Sequence, residues 1–337
     1  MRLSAMGDVA MTVPVLRTFV ATYPEVKITV VSRPFFAPMF VGIPNVSYLI
    51  FDDKRRHKGF RGLIRLFMDL KALRVDAFAD LHNVLRSKIV KAFFVINGKQ
   101  TAAVDKARAE KRALLRQKNK IFKPLPGIFE RHAKVFSALG FPIDLSQPVF
   151  PQREKLDDDL FRITGEKNTT WIGIAPFAQY PSKVYPADLM QTVIDSLTQN
   201  PAYKIFLFGG GKKEIAALNL VAKDRENVIN VAGKTYLSQE LQLIGNLDVM
   251  LSMDSGNAHI AAMMGVKTIT LWGATHPYMG FAPFNQPFEN ALVSDRNQFP
   301  KIPTSVYGNK KVEGYEDAMR TISPELVVEK IKKALVQ

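Results

Sequence analysis

The sequence predicts an α/β fold made of two doubly wound domains in tandem. Short β-branched or aromatic runs alternate with helical stretches along the whole chain, which is typical of parallel sheets crossed by helices. The 337 residues are many for one compact domain and enough for two that each bury a core. Hydrophobic residues make up 47% of the chain and charged residues 23%, which excludes a disordered protein.

The first domain is expected to span residues 1–150 and to contain four strands and four helices. The pattern of apolar residues predicts its strands at 27–31, 48–51, 76–81 and 93–97. It predicts its helices at 9–22, 59–73, 86–92 and 128–139. A loop rich in proline and charge, 141–155, leads into the second domain.

The second domain is expected to span residues 151–322 with the same alternation. Its strands are predicted at 171–175, 204–208, 228–231, 249–253 and 268–272. Its helices are predicted at 186–198, 213–222, 238–244 and 258–264. A last helix within 323–337 begins with Pro324 in its first turn after Ser323, and we expect it to pack back on the N-terminal domain.

The composition limits the cellular compartment in which the protein can act and the types of site that it can contain. Cysteine is absent, which excludes disulfides and thiolate metal sites. No apolar run approaches the roughly 20 residues that span a bilayer, and the first ten residues lack the pattern of a signal peptide. We therefore expect a cytoplasmic protein that is soluble or peripheral to the inner face of the membrane.

Positive charge is concentrated in the first half of the chain. Residues 1–150 contain 26 Lys and Arg against 11 Asp and Glu, whereas the remainder contains 20 of each. The excess is densest in 54–74 and 106–123. Such runs indicate nucleic acid, an acidic membrane surface or a phosphorylated substrate, or else a solvated helix face that binds nothing. Apolar residues interleave with the basic ones in 54–74, which would suit a helix on acidic lipid or one packed on its own sheet.

The run Asp254-Ser255-Gly256-Asn257-Ala258-His259 joins an apolar strand to the start of a helix. First-turn amides carry partial positive charge, so this turn can hold a phosphate, and glycine lets a ligand approach the backbone. The alternative is that Asp254 or Ser255 simply caps the helix.

Two motifs carry a family resemblance. Arg2-Leu3-Ser4-Ala5-Met6-Gly7-Asp8 near the start, together with the run at 254–259, resembles the heptosyltransferases of bacterial envelope synthesis, glycosyltransferase family nine. The resemblance implies a GT-B fold of two Rossmann-like domains whose parallel sheets face a shared cleft. It also implies transfer of a heptose from an ADP-activated donor to a lipopolysaccharide core, with inversion and without a metal.

The resemblance also assigns the catalytic residues. The family's base falls on Asp8, where a carboxylate can accept the proton of the attacking hydroxyl, although a carboxylate there also suits a helix start. Lys183 corresponds to the lysine that neutralises the leaving diphosphate. A lysine in a loop bounded by prolines can equally be solvated.

Further positions of the motifs imply donor contacts. Glu214 corresponds to the carboxylate that holds the ribose hydroxyls, and it follows three glycines that fit neither a dinucleotide fingerprint nor a P-loop. Leu237 lies near the apolar adenine contact. The remaining donor-binding candidates are Asp254, Ser255, Gly256 and His259, of which His259 could hydrogen-bond a phosphate oxygen.

Acceptor contacts are implied in 80–87, which looks like the family's D-L-x-x-x-x-R-S segment. Arg86 could clamp a phosphate or carboxylate and Ser87 could donate its hydroxyl, with helix capping and salt bridging as the alternative.

Two features depart from the family pattern. An apolar strand of about five residues usually precedes R-x-S, so we expect the first strand to be truncated. Phe177-Ala178 stands where many members have Gly-Ala followed by a hydroxyl residue, which puts one phosphate contact in doubt.

The expected partners follow from this assignment: a nucleotide-sugar donor, an anionic glycolipid or phosphorylated glycan acceptor and an acidic membrane surface. We expect no cofactor, no metal ion and no nucleic acid, and a monomeric protein. Two other functions remain open at this point. Sugar-nucleotide epimerases share the GT-B architecture, and the basic first half could belong to a nucleic-acid-binding module, although no recognition motif for nucleic acid is evident.

Overall fold

Parallel strands and the helices between them form two α/β units. The computed structural model describes residues 1–336. The first unit contains 1–107 and 126–150, and the second contains 108–125 and the chain from 151 onward. No helix within the described residues is both long enough and apolar enough to cross a bilayer.

The elements follow the expected alternation with shifted ends. The strands are β1 Ile28–Ser32, β2 Val46–Ile50, β3 Ala77–Asp80, β4 Gln100–Ala103, β5 Thr170–Ala175, β6 Tyr203–Leu207, β7 Val228–Asn230, β8 Val249–Met253, β9 Lys267–Trp272 and β10 Ala291–Val293. The α-helices are α1 Met6–Ala10, α2 Val13–Thr22, α3 Gly59–Ala72, α4 Leu85–Ile96, α5 Arg108–Leu114, α6 Ile128–Ser137, α7 Asp158–Thr164, α8 Ala187–Thr198, α9 Gly211–Ala222, α10 Leu237–Gly245, α11 Gly256–Met263 and α12 Pro324–Val336.

In the first unit, residues 1–3 connect two parallel strand pairs, β1–β2 and β3–β4. The Arg2 amide donates to the Val31 carbonyl (3.1 Å), and the Leu81 amide donates to the Met1 carbonyl (3.2 Å). Residues 1–3 thus hydrogen-bond to a strand on each side, as a central strand does. A cavity of about 590 Å³ lies beside Met1, lined in part by 27–31 and 75–79.

The strand predicted at 93–97 was wrong, because these residues form the end of α4 and the strand follows as β4. Val90 and Phe94 are both buried one helical turn apart, which places them on the core side of α4. A short apolar run fits a buried helix turn as well as a strand, so its periodicity does not decide between them. The helix predicted at 9–22 is divided into α1 and α2.

The second unit is built on one six-stranded parallel sheet in the order β10-β9-β8-β5-β6-β7. All five predicted strands are present, and the three-residue edge strand β10 was missed. From β5 the chain moves outward through β6 and β7, then returns to the other side of β5 with β8. A switch point therefore lies between β5 and β8, and ligands of such sheets bind beyond the carboxyl ends of the strands there.

Two segments belong to the second unit rather than the first. The last helix, α12, packs on α8, β8 and β9, with Val327 and Ile331 fully buried in the core of this unit, and its expected packing on the N-terminal domain stays a prediction. Residues 108–125 are held by specific contacts. The Lys120 ammonium donates to the carbonyls of Lys301 (2.7 Å) and Ile302 (3.2 Å).

Candidate functional site

Polar side chains gather beyond the carboxyl ends of β5 and β8, at the switch point of the second unit. Lys183 lies in the loop after β5, and Asp254 is the first residue after β8. The Lys183 ammonium is 2.9 Å from Oδ2 of Asp254, and the two side chains are only 13% and 10% exposed. The strand order brings together two residues that are far apart in sequence.

Asp254 does not cap the helix that follows it. Its Oδ2 also accepts a hydrogen bond from the Thr275 hydroxyl (2.8 Å), which comes from the end of β9. Ser255 occupies the N-cap position of α11 but makes no side-chain cap, and its hydroxyl lies 3.1 Å from that of Ser252. The capping alternative is therefore not what the structure shows at either residue.

The first turn of α11 begins at Gly256, directly beyond the ion pair. First-turn amides have no partners within a helix, so an anion placed here would meet N–H donors and the positive end of the helix dipole. His259 lies one turn further along α11 and is buried. The arrangement can hold a phosphate group without a metal ion between protein and ligand.

The loop that contains Gly308 confines Lys183, and no sequence pattern indicated this contact. The Ser182 hydroxyl donates to the Gly308 carbonyl (2.6 Å), and the Ala274 amide donates to the Ser182 carbonyl (3.0 Å). A Cβ at Gly308 would lie 2.6 Å from Cδ of Lys183, and its φ is +81°. Glycine is therefore required at 308 both by the backbone conformation and by the lysine beside it.

Glu214 and Leu237 lie on neighbouring helices of the same unit. Glu214 is in the first turn of α9, where Oε2 accepts the Gly210 amide (2.8 Å), so one carboxylate oxygen serves the helix start. Leu237 is the first residue of α10 and is buried. Both follow strands of the same sheet, β6 and β7, and so lie toward the carboxyl edge that carries Lys183 and Asp254.

In the first unit, Asp8 forms an ion pair with Arg2 and accepts the Ala5 amide through Oδ2 (3.2 Å). Its side chain is 25% exposed. Arg2 is buried and also donates to the Leu81 carbonyl (2.8 Å), which fixes the guanidinium and with it the carboxylate. The motif at the chain start therefore positions a carboxylate beside a buried guanidinium.

The charges of Arg2 and Asp8 also shift the pKa values of two histidines in the first unit. Burial, assisted by the Arg2 charge, lowers the pKa of His82 to about 4 and that of His132 to about 3, and the Asp8 carboxylate partly opposes both shifts. Both imidazoles are therefore neutral near pH 7. They therefore cannot supply a positive charge to a phosphate.

Arg86 and Ser87 have different roles. Arg86 is the second residue of α4, and its side chain is 53% exposed. Its guanidinium lies 3.3 Å from Oδ2 of Asp53, and that of Arg33 lies 2.9 Å from the same oxygen. Ser87 is fully buried, and its hydroxyl bonds the amide and the carbonyl of Val84 (both 3.0 Å). Arg33 was missed by the sequence reasoning. Ser87 is a helix-capping residue, as the alternative held, and Arg86 remains free to rotate toward a ligand.

The basic run at 106–123 is partly used inside the protein. The Lys111 ammonium is 4.0 Å from the centre of the Phe281 ring, and the Arg296 guanidinium is 3.4 Å from that of Phe122. Burial and the nearby Arg296 charge lower the pKa of Lys120 to about 8. Lys111 and Lys120 therefore help to hold the segment on the second unit, whereas most of the other basic residues of the run are exposed.

The comparisons with known proteins agree with this geometry. Residues 63–310 match the model of glycosyltransferase family 9, the heptosyltransferases. The chain belongs to this family. It is 26% identical over 342 residues to the lipopolysaccharide core heptosyltransferase OpsX of Haemophilus influenzae, covering 99% of this chain and 95% of that protein.

Two solved structures of family 9 relatives from E. coli are similar over their full length. ADP-heptose lps heptosyltransferase II has a TM-score of 0.69 and 22% identity, covering 100% of this chain and 99% of that chain. Heptosyltransferase WaaC with ADP has a TM-score of 0.68 and 18% identity, covering 99% and 98%. The family 9 chain described here is thus a GT-B glycosyltransferase, and membership replaces both the epimerase and the nucleic-acid-binding alternatives.

Proposed function

We propose that this family 9 enzyme transfers a heptose from an ADP-linked donor to a lipopolysaccharide-core acceptor, with inversion and without a metal ion. The names of its relatives include both the ADP-heptose donor and the lipopolysaccharide acceptor. The observation that carries the proposal is the Lys183–Asp254 pair beside the first turn of α11, at the switch point of a parallel sheet.

The second unit is proposed to bind the donor. The amides at Gly256 receive the diphosphate, and Lys183 keeps N–H donors for a phosphate oxygen while Asp254 fixes its position. Negative charge grows on the diphosphate as its bond to the sugar breaks, so pre-positioned donors favour the transition state over the bound substrate. Glu214 holds the ribose hydroxyls, Leu237 contacts the base, and Ser255 and His259 complete the phosphate contacts.

The first unit is proposed to bind the acceptor and to supply the base. Asp8 takes the proton of an acceptor hydroxyl while that oxygen forms a bond to the anomeric carbon and the carbon–oxygen bond to ADP breaks. One displacement of this kind inverts the configuration. Arg86, with Arg33 nearby, binds an acidic group of the acceptor, and Ser87 acts through the helix start that carries Arg86.

We further propose that the enzyme acts as a monomer at the cytoplasmic face of the membrane, in peripheral contact with acidic lipid. The basic first half of the chain supports such contact, because anionic headgroups attract lysine and arginine.

The direct test measures ADP release from ADP-heptose with and without a lipopolysaccharide-core acceptor, in the presence of a metal chelator. We expect release that requires acceptor and resists the chelator, with a product of inverted anomeric configuration by NMR. ADP-, GDP- and UDP-sugars should be compared by thermal shift, since a ligand that binds only the folded protein raises its melting temperature. Stabilisation by a UDP-sugar alone, or sugar conversion without acceptor, contradicts the proposal.

A further inference from the structure

Two helices of the first unit, α3 and α4, lie side by side and share an aromatic contact. Phe93 of α4 has its ring centre 6.1 Å from that of Phe60 and 5.5 Å from that of Phe67, both on α3. Beneath them, Leu63, Leu66 and Leu70 of α3 enter the hydrophobic core. The inner sides of the helices therefore provide the packing, and the outer side is not needed for it.

The outer side of this pair is unusually apolar. Phe60, Ile64 and Met68 follow one another at intervals of four residues and so form a stripe along α3, with exposures of 60%, 40% and 55%. On α4, Val95 and Ile96 are 55% and 79% exposed. We refer to these five exposed side chains as the α3–α4 face. Isolated exposed apolar residues are ordinary, but a stripe continued on a neighbouring helix marks an interaction surface.

Basic residues border the α3–α4 face. The two helices contain six Lys and Arg and a single acid, Asp69. Asp69 is held by hydrogen bonds from Arg56 and from His57 (3.1 Å), so its charge is neutralised by residues outside the helices. Arg61 and Arg65 lie next to the apolar stripe on α3 and are exposed. The face thus combines apolar and cationic groups with no unpaired acid on its own helices.

We propose that the α3–α4 face is the surface by which this protein docks on an anionic lipid bilayer. An apolar stripe flanked by Arg and Lys is the arrangement of helices that lie in the headgroup region, where the apolar side chains enter the acyl boundary and the cations meet anionic headgroups. A second copy of the chain is a poor occupant, because a two-fold contact would bring Arg61 and Arg65 close to the same cations of the other copy.

This proposal assigns a location to the membrane contact proposed above, but it does not depend on which sugar or acceptor the enzyme uses. The test is flotation of the full chain with phosphatidylcholine vesicles, with and without phosphatidylglycerol, and without donor or acceptor. We expect binding to the anionic vesicles, weakening with added salt, and little binding to the neutral ones.

Variants separate the apolar and the cationic contributions. Arg61→Glu with Arg65→Glu should lower vesicle affinity at least about thirtyfold, since each basic residue near an anionic surface contributes about fivefold. Ile64→Ser with Met68→Ser should also lower vesicle affinity, because two apolar side chains that would enter the acyl boundary are replaced by polar ones. Lys332→Glu with Lys333→Glu, exposed on α12, reproduces the charge change elsewhere and should retain more of the affinity. Because all these positions are exposed, folding should persist, and Val95→Ser with Ile96→Ser on α4 gives an independent check.

Several results would overturn the proposal. The wild-type protein could fail to float with anionic vesicles, or the α12 variant could lose as much affinity as the α3 variant. A concentration-dependent dimer that the α3 serine variant abolishes, without vesicle binding, would assign the face to a second copy. Transfer to a soluble acceptor fragment is measured in parallel, so loss of docking with intact transfer separates this proposal from the proposed function.

Discussion

The Lys183 ammonium lies 2.9 Å from Oδ2 of Asp254, and this ion pair joins the ends of the two strands that flank the switch point of the second unit. Thr275 donates to the same oxygen (2.8 Å), so a third strand end is tied to the pair. Two opposite charges that are both nearly buried depend on one another, because either one alone would be left without a partner in a poorly solvated place. The pair therefore fixes the geometry of the proposed diphosphate site as well as its charge.

Replacing one partner should affect both stability and donor binding. We expect Lys183→Met to lower the free energy of unfolding by about 2–3 kcal/mol, because Asp254 is left nearly buried without its cation. ADP affinity, measured by calorimetry, should fall at least about tenfold, in line with loss of a charged hydrogen bond. Adding Asp254→Asn should restore part of the stability but not the affinity, since the uncompensated charge is removed while the ammonium stays absent.

A second ion pair of the same sheet provides the matched control. Lys167 Nζ is 2.8 Å from Oδ1 of Asp248, and both residues precede their strands, at the amino edge away from the switch point. Lys167→Met should reduce stability and leave ADP affinity unchanged. Equal losses of affinity in the two lysine variants would argue that Lys183 acts through general stability alone.

Much of the second unit was predictable from the sequence, because four of its six strands are largely buried, mostly apolar runs of five or six residues with polar residues near their ends. Asp254 could be recognised because it follows such a strand, whereas Lys183 and Glu214 were recognised through the family resemblance. Thr275 also follows one, β9, and that position was the available signal for a residue that was missed. Gly308 had no signal, because its role depends on the distance to Lys183 across more than one hundred residues.

The first unit was harder to predict, since its strands are four or five residues long and one apolar run served a helix instead. Asp8 was recognised through its motif, but its fixation by Arg2 depends on the path of the chain. Ser87 was assigned to the acceptor, although serine three residues into a helix segment is equally a capping signal. The boundary near residue 150 could not show that 108–125 belongs to the second unit, because those contacts are formed with residues far along the chain.

Crowding at Gly308 gives a prediction independent of charge. Gly308→Ala should weaken donor binding, because a Cβ 2.6 Å from Cδ of Lys183 must displace that side chain. Gly314→Ala is the control, since Gly314 also has a positive φ (+75°) but nothing within 4 Å of the added Cβ. Both variants should lose about 1 kcal/mol of stability from the left-handed backbone conformation. Only Gly308→Ala should change the dissociation constant of ADP. Equal dissociation constants for the two variants would show that Gly308 has no part in the donor site.

The carboxylate at Asp8 should be needed for the chemical step and not for donor binding. Asp8→Asn keeps the size of the side chain but removes the base, so kcat should fall at least about a hundredfold, the usual range for general base catalysis. ADP affinity should stay as in the wild type. Asp69→Asn removes another paired carboxylate from the same unit, and its kcat should be unchanged. An Asp8→Asn enzyme with near-normal kcat would exclude this residue as the base.

Arg86 should affect binding of the acceptor and not binding of the donor. Its guanidinium is half exposed and shares Asp53 with Arg33, so it can leave this carboxylate for an acidic group of the acceptor. We expect Arg86→Ala to raise the acceptor KM about tenfold, as expected for loss of a charged hydrogen bond, with little change in the donor KM. Lys99→Ala removes one exposed ion pair of the same unit and should leave both constants unchanged. A rise in the donor KM alone would contradict the acceptor role.

The buried imidazole of His132 should make stability depend on pH. Burial lowers its pKa to about 3 from an ordinary value of 6.5. Between these two pH values the unfolded chain binds a proton that the folded protein does not bind. Stability is therefore unaffected by this group above about pH 6.5 and decreases as the pH falls toward 3, by about 2 kcal/mol at pH 5. His132→Leu should remove this part of the loss, while His82, with its pKa lowered to about 4, keeps a loss of about the same size at pH 5 in the variant. Chemical denaturation at about pH 7.5 and about pH 5 gives the two free energies for each protein. Equal pH dependence in the wild type and the variant would show that His132 is already protonated, or already solvated, in the folded state.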